Sequence, residues 1–130
     1  MAGKKTIHHQ VLGELEAEIM EVIWKLKSAS VRQVWTKLKR CRPLAYTTVM
    51  TVMGRLVLKG ILKRQLNDSG AYIYVSAQKK EKFLADSSRK LIKNLIQEFG
   101  EVAVAQFIGV VEDSNLKDLA KWQKKLKKIK

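Results

Sequence analysis

Apolar residues in the first part of the chain recur at spacings of three and four, which is the period of an amphipathic α-helix. Acidic residues crowd toward its beginning and Lys25 and Lys27 lie at its end, an order that suits the helix dipole. The pattern predicts a first helix from about residue 13 to 27, with Trp24 as a core anchor. Its apolar positions are Leu12, Leu15, Ile19, Val22, Ile23 and Leu26.

A second amphipathic segment follows a short break at residues 28–30. Ser30 is a suitable N-cap, and the apolar residues after it keep helical spacing, so we predict a helix from there through Arg40. A basic cluster lies at its C-terminal end and consists of Lys37, Lys39, Arg40 and Arg42. This cluster either complements the helix dipole or contacts phosphate. Pro43 then separates the helix from the next segment.

The stretch Leu44–Gly60 has two different faces when it is drawn as a helix. The apolar face carries Val49, Val52, Leu56 and Val57. The opposite face carries Thr47, Thr48, Thr51 and Arg55. Because this second face has short hydroxyl side chains and no acidic residue, it is compatible with a DNA groove. An ordinary amphipathic helix that faces solvent has the same pattern, so the stretch alone leaves both interpretations open.

After Gly60 the hydrophobic period changes from 3.6 to 2, which indicates β-strands. We predict strands at residues 61–66 and 71–75, joined by turn-forming residues at 67–70. Three helices followed by a β-hairpin is the order of a winged helix-turn-helix. In such domains the third helix enters the major groove of DNA.

From Ala77 onward the pattern is helical again, with a long helix ending near Gly100 and two further helices after it. These helices are too apolar to be covered by a small winged-helix domain, so we expect a second protomer to cover them. The alternative is a monomer in which they fold back. The expected interface residues are Phe83, Leu84, Leu91, Leu95, Ile96, Phe99, Phe107, Ile108, Val111, Leu119 and Trp122.

The predicted fold class is therefore mainly α with a small β-hairpin. We expect a basic N-terminal arm at residues 1–11, a winged-helix DNA-binding domain at 12–77 and a helical dimerisation region at 78–130. His8 and His9 in the arm have no third partner at ligand spacing, so we interpret them as solvated surface residues rather than metal ligands.

The 130 residues include 26 Lys and Arg against 12 Asp and Glu, a net charge of +14. Such an excess favours a polyanionic partner, nucleic acid first and an anionic membrane surface second. Cys41 is the only cysteine, which excludes an internal disulfide. The sequence has neither a signal-peptide h-region nor a run long enough to span a membrane, so we expect a cytoplasmic protein.

The sequence contains no constellation that would support catalysis. We find no paired nucleophile and base, no phosphate-cradling glycine loop and no metal-ligand spacing. We therefore predict that the protein is not an enzyme and that it needs no cofactor or metal.

Several segments in a characteristic order resemble the BlaI/MecI/CopY family of penicillinase and methicillin-resistance repressors. The resemblance covers roughly residues 12 to 112. The segments that carry it are Leu15-Glu16, Met20, Ile23-Trp24, Ala45 to Thr51, Arg55-Leu56, Lys59-Gly60 and Gly70 to Tyr74. The family consists of bacterial homodimeric repressors with an N-terminal winged helix and a C-terminal dimerisation region, which bind a pseudo-palindromic operator.

By position, the resemblance implies that one face of the helix at about 45–59 meets the DNA. The residues expected there are Tyr46, Thr47, Thr48, Met50, Thr51 and Arg55. Further contacts to the DNA backbone are expected from Arg40, Arg42, Lys59, Lys63 and Arg64. Backbone contacts of that kind set orientation and salt dependence but do not choose sequence.

The sequence departs from the family pattern at three places. Ala71 follows the wing glycine where relatives commonly have arginine, which puts a contact between wing and phosphate in doubt. The C-terminal cysteine motif of copper-responsive members is absent. At the position where antibiotic-responsive members have the Asn-Phe bond that is cleaved, this chain has Gln106-Phe107. A proteolytic switch driven by a membrane-bound sensor metalloprotease is therefore a hypothesis that this dipeptide does not support.

The sequence as a whole favours a homodimeric transcriptional repressor that binds an operator through the helix at about 45–59. An alternative is a sequence-independent nucleic-acid-binding protein, for packaging or for RNA, because the charge alone would suffice for it. A third hypothesis is a protein-interaction module whose basic surface meets an acidic partner.

Overall fold

The computed structural model describes residues 12–114 and 116–129, and it divides into two compact units between Lys80 and Glu81. The elements in chain order are α1 (Glu14–Leu26), β1 (Ser28–Ala29), α2 (Val31–Leu38), α3 (Tyr46–Leu58), β2 (Leu62–Leu66), β3 (Tyr72–Ser76), α4 (Lys80–Phe99), α5 (Glu101–Glu112) and α6 (Leu116–Ile129). Mainly helical structure with a small antiparallel sheet is the fold class that the sequence predicts.

Helix α1 begins and ends close to the predicted bounds. The Gly13 N–H donates to Glu16 Oε1 at 2.9 Å, which satisfies one of the free donors of the first turn. At the other end the backbone of Lys27 has a φ of 79°, a left-handed value that terminates the helix, and its N–H donates to the Ile23 carbonyl at 2.7 Å. The apolar stripe of the helix faces the core.

Helix α2 begins with a capping box. Ser30 Oγ accepts from the Gln33 N–H at 3.2 Å, and Gln33 Oε1 accepts from the Ser30 N–H at 2.8 Å. The predicted start of the helix is confirmed. Its end is two residues earlier than expected, because Lys39 and Arg40 lie in the turn that follows.

Helix α3 ends at a glycine, as the sequence predicts. Gly60 has a φ of 78°, and the Ile61 N–H donates to the Leu56 carbonyl at 3.0 Å across the turn. This turn leads directly into β2, so the helix and the hairpin are joined without a flexible linker.

The predicted hairpin is present, and it belongs to a three-stranded antiparallel sheet with the order β1-β3-β2. The expectation that residues 28–30 form only a break is wrong, since Ser28 pairs with Val75 and Ala29 pairs with Tyr74. Two residues carry too little periodic signal for a strand to be recognised, and their pairing partner lies far along the chain. The sheet therefore ties the start of α2 to the end of the hairpin.

The core of the N-terminal unit is built from apolar side chains of all three helices and the sheet. Trp24, predicted as a core anchor, is only half-buried, and its Nε1–H donates to Ser76 Oγ at 2.9 Å and to the Gln78 carbonyl at 3.1 Å. Its indole therefore holds the end of β3 and the residues that follow it against α1. The fully buried large side chains are Ile19, Met20, Ile23, Val34, Val49, Met53, Leu56 and Leu62.

The C-terminal unit consists of α4, α5 and α6. Gly100, with a φ of 63°, separates α4 from α5, so the predicted end of the long helix is confirmed. Residues 91–99 of α4 are all exposed in the single chain although most of them are apolar. Within the described residues, no helix combines the length and the apolar character needed to cross a membrane.

Candidate nucleic-acid interface

Helix α3 separates its side chains into a buried face and an exposed face. Val49, Val52, Met53 and Leu56 are buried, whereas the predicted apolar residue Val57 is only half-buried. Met53 is buried in the core, where the sequence pattern predicted Val57. The helix is thus fixed against the domain along one side and leaves the other side free.

The residues expected to meet DNA all lie on the free side of α3. All six are exposed, with Tyr46 at 36 % and Met50 at 45 %. The set is Tyr46, Thr47, Thr48, Met50, Thr51 and Arg55. Because the helix turns about 100° per residue, Thr47, Thr51 and Arg55 form a continuous strip along it.

Two further residues lie on this strip and were not recognised from sequence. Leu58 is 89 % exposed at its C-terminal end, and Gly54 lies midway along it. A Cβ added at Gly54 would meet nothing within 4 Å, so no packing contact requires the glycine there. The signal was available, since Gly54 follows Thr51 by three residues and Thr47 by seven, and Leu58 follows Thr51 by seven.

Two of the cations expected to contact the DNA backbone are paired with carboxylates of α1. Arg42 Nη2 lies 2.5 Å from Glu18 Oε1, and Lys59 Nζ lies 2.8 Å from Glu16 Oε2. Sequence reasoning did not find these pairs because their partners are 24 and 43 residues apart. A role of Arg42 and Lys59 at DNA would compete with these ion pairs.

The environment of Glu16 shifts its pKa. Its burial raises the pKa, but the hydrogen bond from Lys59, the Gly13 N–H and the positive charges of Lys59 and Arg55 together outweigh burial, so the pKa lies below its ordinary value of 4.5. Glu16 is therefore ionised at neutral pH. It holds the C-terminal end of α3 against α1.

The remaining predicted backbone contacts lie at the surface. Arg40 and Lys63 are exposed and have no carboxylate partner among the described residues. Arg64 lies over the Tyr72 ring, with 4.3 Å from its Cζ to the ring centroid, and donates a long hydrogen bond to Tyr74 Oη at 3.5 Å. This hydrogen bond raises the pKa of Arg64, so its charge is retained.

The tip of the wing is a small turn organised by one side chain. Asn67 Oδ1 accepts from the N–H groups of Ser69 and Ala71, both at 3.0 Å, and Gly70 supplies a φ of 85°. The methyl group of Ala71 brings no charge to this tip. Both Lys63 and Arg64 belong to strand β2 of the wing, and the Tyr72 ring supports Arg64 further down the hairpin.

The residues expected at a dimer interface differ in their exposure. Phe83 is 8 % exposed and buried already in the single chain, while Leu84 and Val111 are half-buried. The side chain of Leu119 lies outside the described part of the structure. The exposed members are Leu91, Leu95, Ile96, Phe99, Phe107, Ile108 and Trp122.

The possible cleavage position lies inside a helix. Gln106 and Phe107 are both exposed in the middle of α5, with Phe107 at 55 %. Proteases prefer exposed loop tips, so cleavage of this bond would require α5 to open locally.

The side chains that could bind a metal are those of His, Cys, Asp and Glu. In the portions that the structure describes, no three His, Cys, Asp or Glu side chains come together as a metal site. The arm at residues 1–11, including His8 and His9, lies outside the described residues. Cys41 is exposed as a free thiol.

A comparison with protein families identifies the family to which this chain is similar. The model of the penicillinase repressor family matches residues 12–128, which is most of the chain. The transcriptional regulators BlaI from two strains of Mycobacterium tuberculosis, CDC 1551/Oshkosh and ATCC 25618/H37Rv, are each 39 % identical over 75 residues. The alignment takes in 57 % of this chain and 54 % of each relative, so the chain spans about half the length of the curated relatives it matches.

Solved structures of transcriptional regulators are similar to this chain. A MarR family regulator from Silicibacter pomeroyi DSS has a TM-score of 0.50 at 19 % identity, over 95 % of this chain and 73 % of that one. At this identity the likeness establishes the winged-helix fold alone. The solution structure of the DNA-binding domain of the repressor BlaI is 26 % identical with a TM-score of 0.48, over 59 % of this chain and 90 % of that one.

Proposed function

Because the chain belongs to the penicillinase repressor family, we propose that it is a DNA-binding transcriptional repressor that acts as a homodimer. The observation that carries the proposal is the free side of α3, where Thr47, Thr51 and Arg55 form an exposed strip with no acidic side chain. The opposite side of the same helix is fully buried in a winged-helix core. Such a helix can enter a groove without disturbing the domain that carries it.

The chemistry of the strip suits the major groove of DNA. A threonine methyl group packs against the C5-methyl group of thymine, and its hydroxyl group bonds a base edge or a phosphate. Arg55 can bond either a guanine or a phosphate. Since the strip has a single arginine and no Asn or Gln, few bidentate base contacts are available, and specificity then depends on thymine methyls, DNA shape and half-site spacing.

The exposed apolar side chains of the C-terminal unit support the proposal of a dimer. Leu95 of α4 and Phe107 of α5 are 50 % and 55 % exposed, within a longer series of exposed large apolar side chains. Apolar surface of this extent is typical of an interface rather than of a solvated surface. Two protomers would place two copies of α3 in successive major grooves, with half-sites about 34–36 Å or a multiple of that apart. Binding of this kind over a promoter blocks the polymerase.

Two finer features belong to the same proposal. A repressor acts where the chromosome is, in the cytoplasm. Release by a membrane-bound sensor metalloprotease through cleavage at Gln106–Phe107 would require α5 to open, since the bond lies within that helix. The family and the relatives are transcriptional regulators and not enzymes, as the sequence predicts.

A titration on two DNA duplexes tests the proposal. One duplex comes from the region upstream of the protein's own gene, and the other has the same base composition in scrambled order. A repressor should bind the first about a thousandfold more tightly, or more, near physiological salt. Equal affinities would instead favour a sequence-independent nucleic-acid-binding protein, for which the charge of +14 is sufficient.

A further inference from the structure

A cluster of alternating rings and cations lies where α2 meets the beginning of α3. The rings of Trp35 and Tyr46 are in edge contact, with centroids 5.6 Å apart and planes at 82°. Arg32 Cζ lies 5.8 Å from the centroid of Tyr46, and Lys39 Nζ lies 3.9 Å from the centroid of Trp35. The Trp35 indole N–H donates to the Leu44 carbonyl at 2.7 Å, which fixes this ring against the loop before α3.

The cations of this cluster differ from the cations that are paired with carboxylates. Neither Arg32 nor Lys39 has a carboxylate partner among the described residues, and no acidic residue occurs between Glu21 and Asp68. Arg64 is held by an aromatic ring in the same way, over Tyr72, whereas four other cations of the described residues are paired with carboxylates. Those pairs are Arg42–Glu18 (2.5 Å), Lys59–Glu16 (2.8 Å), Lys80–Glu21 (3.0 Å) and Lys82–Asp86 (3.1 Å).

The two ways of holding a cation have different electrostatic consequences. A carboxylate cancels the charge that it orients, so the pair attracts a third anion weakly. An aromatic face orients the cation through its quadrupole and leaves the full positive charge available. Arg32 and Lys39 are therefore both positioned and uncompensated, which is what a phosphate-binding side chain requires.

Lys39 is the C-cap residue of α2 and keeps helical backbone angles, so helical geometry places it on the same side of the helix as Arg32. Arg32 and Lys39 are seven residues apart, which brings them to nearly the same angle on the helix and separates them by about 10.5 Å along it. Tyr46 is the first residue of α3 and lies at the border of the exposed side of that helix. The cluster is thus continuous with the surface that is proposed to meet DNA.

We propose that Arg32 and Lys39 bind two phosphates of the DNA backbone, and that Tyr46 and Trp35 position them through their rings. This inference rests on the proposed function and adds to it a pair of contacts at the N-terminal end of α3. It also changes the role of Tyr46, which becomes a positioning residue for Arg32 rather than a reader of bases. Sequence alone did not single out Arg32, since only the fold brings it to Tyr46.

The salt dependence of DNA binding tests the two phosphate contacts. Arg32→Gln and Lys39→Gln should each lower the slope of log K against log salt by about 0.9, and each should weaken binding by about eightfold at 0.1 M salt. The loss should be the same on upstream and scrambled duplexes, because phosphate contacts carry no sequence information. Lys37→Gln is the matched control, since it removes the same charge from the opposite side of α2 and should leave the slope unchanged.

Three variants test the positioning role of Tyr46. Tyr46→Phe keeps the ring and should keep the wild-type slope, whereas Tyr46→Leu should lose the same slope as Arg32→Gln. Tyr46→Leu should cause no further loss in a protein that already carries Arg32→Gln. A loss confined to the upstream duplex would mean that Tyr46 reads a base, which would contradict the positioning role.

The outcomes separate this inference from the function on which it rests. Wild-type slopes for Arg32→Gln and Lys39→Gln, with folding verified by circular dichroism, would overturn the inference even if the wild type prefers the upstream duplex. Equal wild-type affinity for both duplexes would overturn the repressor proposal. The slope comparison on scrambled DNA would still decide whether the two cations bind phosphate.

Discussion

At the scale of single residues, burial separates the side chains of α3 that stabilise the domain from those that we propose to contact DNA. Val49 and Leu56 are fully buried, so they fix the helix, while Thr47 and Thr51 are exposed and make no contribution to the core. A change at the threonines should therefore affect ligand binding rather than folding.

Replacing Thr47 and Thr51 with Ala should weaken binding to the upstream duplex by about 1–3 kcal/mol. Alanine has a higher helix propensity than threonine, so the domain should fold normally. Fluorescence anisotropy on both duplexes measures the effect, and scrambled DNA serves as the control. Equal losses on the two duplexes would indicate that these hydroxyl groups contact only the backbone.

The ion pair between Glu16 and Lys59 predicts a dependence of stability on pH. The pKa of Glu16 is lower in the folded state, so the pair stabilises the protein above the ordinary value of 4.5 and this contribution is lost as the pH falls through the folded value. Because Lys59 is half exposed, we expect about 0.5–1 kcal/mol.

Urea denaturation of the wild type and of Glu16→Gln between about pH 6 and pH 3 measures this contribution. The difference in the free energy of unfolding should be constant at the upper end and should shrink below 4.5. Parallel curves for the two proteins would show that the ion pair does not contribute.

At the scale of elements, α3 contains a residue whose presence stability does not explain. Gly54 is in the interior of the helix on its exposed side, and a Cβ there would meet no neighbour. Gly54→Ala should raise the free energy of unfolding by about 0.5–1 kcal/mol because glycine is a poor helix former.

The same substitution should weaken binding to the upstream duplex, since the added methyl group stands between the helix backbone and the DNA. Thermal denaturation and a DNA titration of one preparation measure both effects. A stabilised protein with unchanged affinity would show that the DNA does not approach α3 at this position.

The elements that sequence predicts best are those with a local signal. The stripe of α1, the N-cap at Ser30 and the change of period after Gly60 are each visible within one short segment, and each of these features is present in the structure. Strand β1 was not predicted because it is defined by its pairing with Tyr74 and Val75, which lie far away in the sequence. The pairing of Lys59 with α1 was missed for the same reason.

The candidate site follows the same rule: residues that belong to one element could be predicted from the sequence, and contacts between elements could not. Helical spacing brought the threonine strip of α3 together correctly, because all its members belong to one element. The contact between Arg32 and Tyr46 joins two elements across a loop, so no spacing rule applies to it. Local patterns thus identify a face, and only the fold identifies what surrounds it.

At the scale of the whole molecule, the exposed apolar residues of the C-terminal unit predict self-association. Leu95 is 50 % exposed in the single chain, so Leu95→Asp should leave α4 folded and should destabilise the dimer by placing a charge in its apolar interface. Sedimentation velocity should show a shift toward the monomer at concentrations where the wild type is dimeric.

Gln97→Asp is the matched control, because it introduces the same side chain two positions later on the opposite side of α4. It should sediment as the wild type does. An unchanged profile for Leu95→Asp would place the interface elsewhere, and a monomeric profile for both variants would point to general charge repulsion.

The pairing of β1 with β3 has a consequence for how the domain is made. The sheet cannot close until the ribosome has released residue 76, and a peptide that stops at Gly60 lacks the strand that Ala29 binds. Such a peptide also loses the acceptors of the Trp24 indole, Ser76 and Gln78. We therefore expect the three helices alone to be less stable than the whole domain, and a fragment that keeps these contacts has to include Gln78.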